Sequence, residues 1–437
     1  MSTPAAPPFG QSRARGRAAL LVALGTLVAN LLAYAFNISL SRALGPDSYG
    51  ELAALLAVVI VGSVPGIALQ AGAARGIATA TGDIGRIAEG LIARSVRIAV
   101  LVALITLIAA PLLHAFLGTG SYVALCWLAL SLVPTIIVFG CQGILQGQER
   151  YAALASVLVL AQLGRLAGGI MSLAVHPGVT GALAGAALGA TPAAAVALFL
   201  AAPGLLTRPR PGAVRIDGLG RDTLAMLGIL ALSNLDLVLA RHYLPESDAG
   251  IYAAGNLVTK AAFWGPGFVA TVAYAQLTRA PERADALRTA VRLLGAIAVV
   301  GITTSALAAP LVPYLLGPEY SAVSGSAWLF ATAGVLLAGV LLFLYAGVAV
   351  HDRRLAVAVW AVAAAECVAV AWLWHESRTE ILLVAVAGAL LLLATGLGLE
   401  LRGRGGTDNS AVTQPSGQAR GQGRSPGPGL GRQRMPS

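Results

Sequence analysis

Lysine is almost absent from this sequence, and charge of either sign is scarce. Its 437 residues contain one lysine, Lys260, and charged residues make up only 11% of the chain. Because Ala261 follows that lysine, the phosphate-binding loop of ATPases, which needs Ser or Thr there, cannot form. The five histidines and three cysteines are scattered, without the spacing of metal ligands. We therefore expect no catalytic residues, no metal, no cofactor and no enzyme activity.

Apolar residues take the place of charge. They make up 57% of the chain, and the mean hydropathy is +0.80, far above an ordinary soluble protein. About twelve apolar runs are long enough to cross a hydrocarbon core of roughly 30 Å as helices. The first run is too long for a cleavable signal peptide, so we interpret it as a retained signal anchor. The sequence predicts an all-α integral membrane protein.

The arginines predict the orientation. If the N-terminus is cytoplasmic, nearly all arginines fall on the inner side, and the outer side receives only Arg42, Arg241 and Arg378. This is the positive-inside pattern. It predicts that both termini are cytoplasmic, and it explains the net charge of +10 without a nucleic-acid partner. Arginine in place of lysine, with abundant Ala and Gly, favours a bacterial plasma membrane.

Four short motifs occur twice, in the same order. The polar turn SRALGPDSYG resembles ARHYLPESDAG, AAPLLHAFLG resembles AAPLVPYLLG, VPG resembles GPG, and QERY resembles DRRL. The paired positions are 41–50 with 240–250, 109–118 with 308–317, 64–66 with 265–267, and 148–151 with 352–355. The spacing covers six spans, an even number, so both copies keep the same orientation. The repeat predicts two parallel six-helix bundles.

The repeat also predicts the domain boundaries. We expect a cytoplasmic N-terminal segment, a first bundle, a cytoplasmic linker, a second bundle and a basic cytoplasmic tail. Their ranges are 1–17, 18–206, 207–223, 224–402 and 403–437. The tail is rich in Gly, Pro, Gln, Ser and Arg and has almost nothing to bury, so we expect it to be disordered.

Pro-Gly pairs interrupt the second span of each bundle. The pairs are Pro65 with Gly66 and Pro266 with Gly267. Helices broken at equivalent places point to a central cavity in transporter folds, although a packing kink is the alternative. In span six, Gly181, Gly185 and Gly189 recur at four-residue spacing, which predicts close helix packing.

Four ionisable residues fall inside predicted spans: Arg165, Asp236, Lys260 and Glu366. Each costs a few kcal/mol at mid-membrane, so each should face protein or a wet cavity. We expect a coupling proton or sodium ion to bind one of the two carboxylates, Asp236 or Glu366. The alternative is a structural ion pair between Asp236 and Lys260.

Three longer segments carry a family resemblance. The first is LSRALGPDSYGELAAL, and the helix after it ends in AGAAR at Arg75. The second is NLDLVLARHYLPESDAGIYAAGNLV, and the third is LLGPEYSAVSGSAWLF. With them the chain resembles the polysaccharide transporter, or oligosaccharide flippase, family. That family belongs to the superfamily of the MATE multidrug exporters and the lipid II flippases. The resemblance covers essentially the whole chain up to the tail.

The resemblance implies a V-shaped cavity between two bundles, open to one side at a time. It also implies movement of a polyprenyl-diphosphate-linked glycan, or a similar glycolipid, from the inner to the outer leaflet. A fixed cation can hold a diphosphate. We expect Arg165, helped by Lys260, to hold it in transit, and Arg42 and Arg241 to receive it at the outer rim; Arg75 is a further candidate. Alternatively, Arg42 and Arg241 anchor their helices to lipid headgroups.

Two other functions remain open. A MATE-type exporter of cationic drugs, driven by sodium or protons, should have a net acidic cavity, whereas here Arg165 and Lys260 balance Asp236 and Glu366. A membrane scaffold that recruits envelope enzymes through its tail should not survive deletion of the residues after Gly403, whereas a flippase should.

The topology leads to a labelling prediction. In a background with the three native cysteines replaced by serine, Ser48→Cys and Ser247→Cys should react with an impermeant thiol reagent in intact cells. Ser410→Cys should react only after the cells are opened, because we place the tail in the cytoplasm. If Ser410→Cys reacted in intact cells and neither turn did, the orientation would be the opposite of the one predicted.

Overall fold

The computed structural model describes residues 9–203, 219–277, 283–349 and 352–412, which form helices and short connections without a strand. The first half contains α1 (Phe9–Gly62), α2 (Val64–Ala78), α3 (Ile84–Ile108), α4 (Ala110–Leu117), α5 (Tyr122–Gly147), α6 (Tyr151–Leu173) and α7 (Val179–Ala201). The second half contains α8 (Leu219–Tyr243), α9 (Glu246–Leu277), α10 (Arg283–Ala308), α11 (Val312–Leu316), α12 (Ala327–Ala349), α13 (Arg354–Trp372) and α14 (Arg378–Val412). Two 3-10 turns, Ala309–Leu311 and Pro318–Val323, lie between α10 and α12.

The helices give the predicted number of spans. In the described part of the chain, ten segments are long and apolar enough to cross a membrane. The first of them, Leu20–Ala78, has 59 residues and bends at Gly45, so it accounts for two crossings. Helix α9, with 32 residues, is also long enough to cross. The prediction of an all-α membrane protein with about twelve spans is confirmed.

The polar turn at 41–50 is a bend at one residue rather than a loop. Helix α1 is helical on both sides of Gly45, which alone departs from helical angles with φ 71° and ψ 173°. Glycine adopts this conformation without the steric cost of a Cβ atom. In the second half, α8 ends at Tyr243 and α9 begins at Glu246, so the equivalent bend is nearly as tight. We call the side of the molecule with these two bends the turn side, and the opposite side the basic side.

The repeat extends to small irregularities. Helix α3 is followed by the short helix α4, and the next residue, Gly118, has a positive φ of 56°. Helix α10 is followed by the 3-10 turn and the short helix α11, and the next residue, Gly317, has a positive φ of 127°. In each half a long helix is thus followed by a short helix and a glycine with positive φ. This equivalence confirms the parallel repeat.

The predicted helix breaks differ between the halves. Helix α1 ends at Gly62 and α2 begins at Val64, with Pro65 in its first turn, so a short interruption is present. Helix α9 continues through positions 266 and 267, where we predicted the equivalent break. Membrane helices tolerate proline, because neighbouring groups satisfy the freed backbone atoms.

Several helices extend beyond the predicted ranges of the bundles. Helix α1 begins at Phe9, α8 at Leu219, and α14 runs to Val412, past the predicted start of the tail. A long apolar helix extends readily at its ends, because each added residue gains a hydrogen bond without a new nucleation cost. The chain divides into two units, Met1–Gly396 and Leu397–Ser437, so the two halves share one unit apart from the end of α14 after Gly396. Most of the predicted linker, and positions 413–437, lie outside the described residues.

Close helix packing occurs where the glycine spacing predicts it. Cβ atoms on Gly164 and Gly168 of α6 would collide with the backbone carbonyls of Gly189 and Gly185 of α7. The equivalent helix of the second half, α13, contains no glycine. There, Gly388 of α14 faces the side chain of Val362 of α13 instead of its backbone.

The two halves touch where the repeated turns meet. A Cβ atom on Gly50 would lie 2.8 Å from the backbone nitrogen of Gly250, and a Cβ atom on Gly250 would collide with the carbonyl of Pro46. Beside this contact the ring centres of Tyr49 and Tyr320 lie 6.2 Å apart, edge to face. The Tyr320 hydroxyl also donates to the Ser41 carbonyl at 3.0 Å. The sequence repeat therefore becomes a contact between the halves.

This contact should not tolerate a methyl group. Gly250→Ala should lower the free energy of unfolding by about 1–3 kcal/mol, because the added carbon must push the Pro46 carbonyl away. Gly76→Ala in α2 is the matched control, since its Cβ atom would meet nothing within 4 Å. Denaturant unfolding in detergent measures both; equal stability of the two variants would contradict the contact.

Candidate functional site

Two arginines at equivalent positions each cross from one half to the other. Arg42 of α1 donates from Nη2 to the Tyr314 carbonyl at 2.9 Å. Arg241 of α8 donates from Nε to the Leu117 carbonyl at 3.0 Å and from Nη2 to the Gly118 carbonyl at 3.1 Å. The acceptors belong to the repeated segments 109–118 and 308–317. The two contacts are therefore counterparts in the repeat.

Their surroundings differ. Arg241 is buried, and its Nη2 also lies 3.4 Å from the Glu246 carboxylate. The neighbouring His242 stacks on Phe116, with ring centres 4.1 Å apart. Arg42 is exposed, and within the described part of the chain it forms no ion pair. Arg241 is thus occupied by the contact between the halves, whereas the charge of Arg42 is open to solvent or lipid.

Lys260 lies in a polar cluster inside the second half. Its Nζ donates to the Ser233 carbonyl at 2.6 Å and to the Asn234 side chain at 2.7 Å. In the same cluster the Asp236 carboxylate accepts from the Tyr252 hydroxyl at 2.8 Å and from Asn256 at 3.3 Å. Lys260 and Asp236 therefore interact electrostatically through the cluster rather than as the direct ion pair considered from the sequence.

Glu366 of α13 completes this cluster. Both its carboxylate and that of Asp236 are buried, and the two charges act on each other. One oxygen of each, Oδ1 of Asp236 and Oε1 of Glu366, has no hydrogen-bond partner among the described residues. Carboxylate oxygens with free lone pairs can accept a proton or a hard cation. The two carboxylates chosen from the sequence are thus both buried in the second half and close enough to act on each other.

Arg165 belongs to the first half. Its guanidinium carbon lies 4.8 Å from the centre of the Phe36 ring, beside a cavity of about 30 Å³. Ser131 and Thr135 of α5 line the same cavity, together with residues of α1 and α7. No carboxylate pairs with Arg165 within the part of the chain described. The structure does not bring Arg165 and Lys260 together, and Arg75 lies exposed in the last turn of α2.

A second cavity is larger, and its lining residues were not predicted from the sequence. It has a volume of about 540 Å³ and lies between α1 of the first half and α9, α10 and α12 of the second. Its wall is almost entirely apolar, with Tyr34 and Ile38 contributed by α1. Apolar residues on a membrane helix are expected everywhere, so the hydropathy pattern does not distinguish a groove from a lipid-facing surface.

No family model and no curated protein matches the sequence. Solved structures do match. The inward-facing conformation of a multidrug resistance MATE family transporter of the MOP superfamily is 16% identical, with a TM-score of 0.71 over 89% of this chain and 96% of that one. A eukaryotic MATE transporter is 13% identical, with a TM-score of 0.64 over 88% of this chain and 93% of that one.

The outward-facing conformation of a multidrug resistance MATE family transporter is 16% identical, with a TM-score of 0.58 over 91% of this chain and 97% of that one. The chain has the MATE fold. It is therefore a multi-pass membrane protein built from two six-helix bundles, as the repeat predicts, and its fold fits the superfamily that the sequence resembles.

The polar cluster leads to a stability prediction. Lys260→Met should cost about 3–5 kcal/mol, because it leaves buried carboxylates without their cation. Adding Asp236→Asn should recover part of that loss, which gives a coupling energy of about 0.5–3 kcal/mol in a double-mutant cycle.

Unfolding in denaturant measures the four proteins of the cycle. The matched control is the exposed pair of Asp83 and Arg86, 3.0 Å apart, where Arg86→Met should cost less than about 1 kcal/mol. Strictly additive effects of Lys260→Met and Asp236→Asn would show that the two residues stabilise the second half independently.

Proposed function

We propose that this protein is an alternating-access transporter that moves a lipid-linked oligosaccharide from the inner to the outer leaflet. The substrate class is a polyprenyl-diphosphate-linked glycan for cell-surface polysaccharide biosynthesis, and the membrane is the bacterial plasma membrane. The MATE fold, with two equivalent bundles, supports a transporter. The observation that carries the substrate class is Arg165.

Arg165 is a cation inside a span, without a carboxylate to balance it in the described chain. Such a residue costs a few kcal/mol and is by default a functional candidate. A guanidinium binds two phosphate oxygens through its planar fork, and the hydroxyls of Ser131 and Thr135 can complete the contact. The cavity of about 30 Å³ suits a water molecule rather than a diphosphate. The substrate therefore binds in an arrangement in which the helices around Arg165 have separated.

The contacts between the halves support a loading direction. Gly50 with Gly250, Arg42 with Tyr314 and Arg241 with Leu117 all join the halves at the turn side. With the turn side outside, as the arginine distribution predicts, this arrangement is closed to the outside. The higher TM-score with the inward-facing transporter, 0.71 against 0.58, agrees with it. The substrate would then enter from the cytoplasmic leaflet.

One observation favours a second candidate, a cation-coupled multidrug exporter. The free carboxylate oxygens of Asp236 and Glu366 suit a proton or sodium ion. In the flippase the same site would take the coupling ion, with Lys260 beside it. The two functions differ in the cargo, so the cargo must be measured directly.

Arg165 tests the flippase. Arg165→Lys should flip weakly, because it keeps the charge but loses the fork, and Arg165→Gln should lose at least tenfold in rate, as expected for a lost charged hydrogen bond. The measurement is the accessibility of the lipid-linked sugar in each leaflet, in cells with equal amounts of each variant. Arg97→Gln, at an exposed arginine of α3, is the control.

Two results would contradict this assignment. Normal flipping by Arg165→Gln would show that Arg165 does not bind the substrate in mid-membrane. The exporter would be favoured if the double variant Asp236→Asn, Glu366→Gln lost efflux of cationic drugs. In that case flipping of the lipid-linked sugar should be normal both in this double variant and in Arg165→Gln.

A further inference from the structure

We propose that the groove between the two halves is a binding site for a membrane phospholipid with an anionic headgroup, whose phosphate contacts Arg42 and whose acyl chain lies in the groove. This inference concerns a bound lipid rather than the cargo, so it does not depend on what the protein transports.

The groove has the shape and chemistry for a chain. Its volume is about 540 Å³, and it is walled by small and aliphatic residues of α9, α10 and α12 opposite Tyr34 and Ile38 of α1. Among the described residues, none that lines it is acidic or basic. Gly301 of α10 belongs to the wall, and a Cβ atom there would meet nothing within 4 Å. An acyl chain can fill such a space without displacing protein atoms.

Arg42 adjoins the residues that line this groove. Tyr34, Ile38 and Arg42 are spaced by four residues, so they follow one another along the same face of α1. Arg42 donates to the carbonyl of Tyr314, and the neighbours Val312 and Leu315 both line the groove. Its Nη2 makes this one contact, and the guanidinium has further donors to offer a phosphate.

The surroundings of Arg42 resemble a membrane interface. Tyr314 is 77% exposed beside it, and Leu311 and Leu315 are about half exposed on the same short segment. Tyrosine side chains are enriched at the level of lipid headgroups, where arginine also extends its charge. A phosphate at Arg42 therefore places the acyl chain of the same lipid at the depth of the groove.

The comparison with Arg241 supports a ligand for Arg42. Arg241, its counterpart in the repeat, is buried and pairs with Glu246. Arg42 makes the equivalent contact with the other half but has no such carboxylate partner among the described residues. A phosphate would supply the missing negative charge. Because the groove is lined by α1 and by helices of the second half, the bound lipid would contact both halves.

Native mass spectrometry of the full-length protein tests this site. The probes are phosphatidylglycerol and phosphatidylcholine with identical acyl chains, titrated against protein freed of lipid by detergent. We expect phosphatidylglycerol to bind at least tenfold more tightly, because the choline cation of phosphatidylcholine offsets the negative charge of its phosphate at Arg42. Arg42→Gln should abolish the preference, Arg42→Lys should keep most of it, and Gly301→Leu should weaken both lipids by filling the groove.

Gly295→Leu is the matched control, because Gly295 also lies on α10 and is equally open but does not line the groove. A phosphatidylglycerol with a photoreactive group at the chain end should label peptides from α9 and α10 in the wild-type protein and lose that labelling in Gly301→Leu. Equal binding of the two lipids, or unchanged binding and labelling in Gly301→Leu, would overturn the proposal.

Discussion

The backbone contact between Gly50 and Gly250 is the constraint on which the arrangement of the two halves depends. At this point the repeated turns approach so closely that neither glycine has room for a side chain. The tyrosine pair and the crossing arginines surround the same contact. Two copies of a turn can meet in this way only if their halves run in the same direction through the membrane. The same contact therefore depends on the parallel repeat and closes the turn side between the halves.

The crossing arginines illustrate how two equivalent positions can diverge. Arg42 and Arg241 each bind a backbone carbonyl of the opposite half. Arg241 pairs with the carboxylate of Glu246 and is buried, whereas Arg42 forms no ion pair with Asp47, the counterpart of Glu246 in the repeat, and is exposed. Both arginines thus join the halves. The charge of Arg241 is neutralised by Glu246, whereas the charge of Arg42 is available to a ligand. The halves also differ in their intramembrane charges: the second half contains the buried carboxylates, and the first contains Arg165.

Much of the fold could be predicted from the sequence, because the membrane restricts backbone geometry so strongly. Span number, the parallel repeat and the glycine packing of α7 follow from run length and spacing. Of the candidate site, the sequence could select Asp236 and Glu366 as ionisable residues within spans. It could not predict that they act on each other, that Arg165 and Lys260 lie apart, or that a groove adjoins Arg42. Those facts depend on helix rotation, which hydropathy does not report.

The glycine contacts between α6 and α7 have a consequence for how the two bundles deform. Backbone touches backbone along this pair, so the helices interlock and cannot slide without steric collision. Helix α13 lacks glycine, and side chains separate it from α14. Side chains change rotamer under load, and layers separated by them can shear. Sliding at this pair of helices is therefore blocked in the first half and easier at the equivalent pair of the second half.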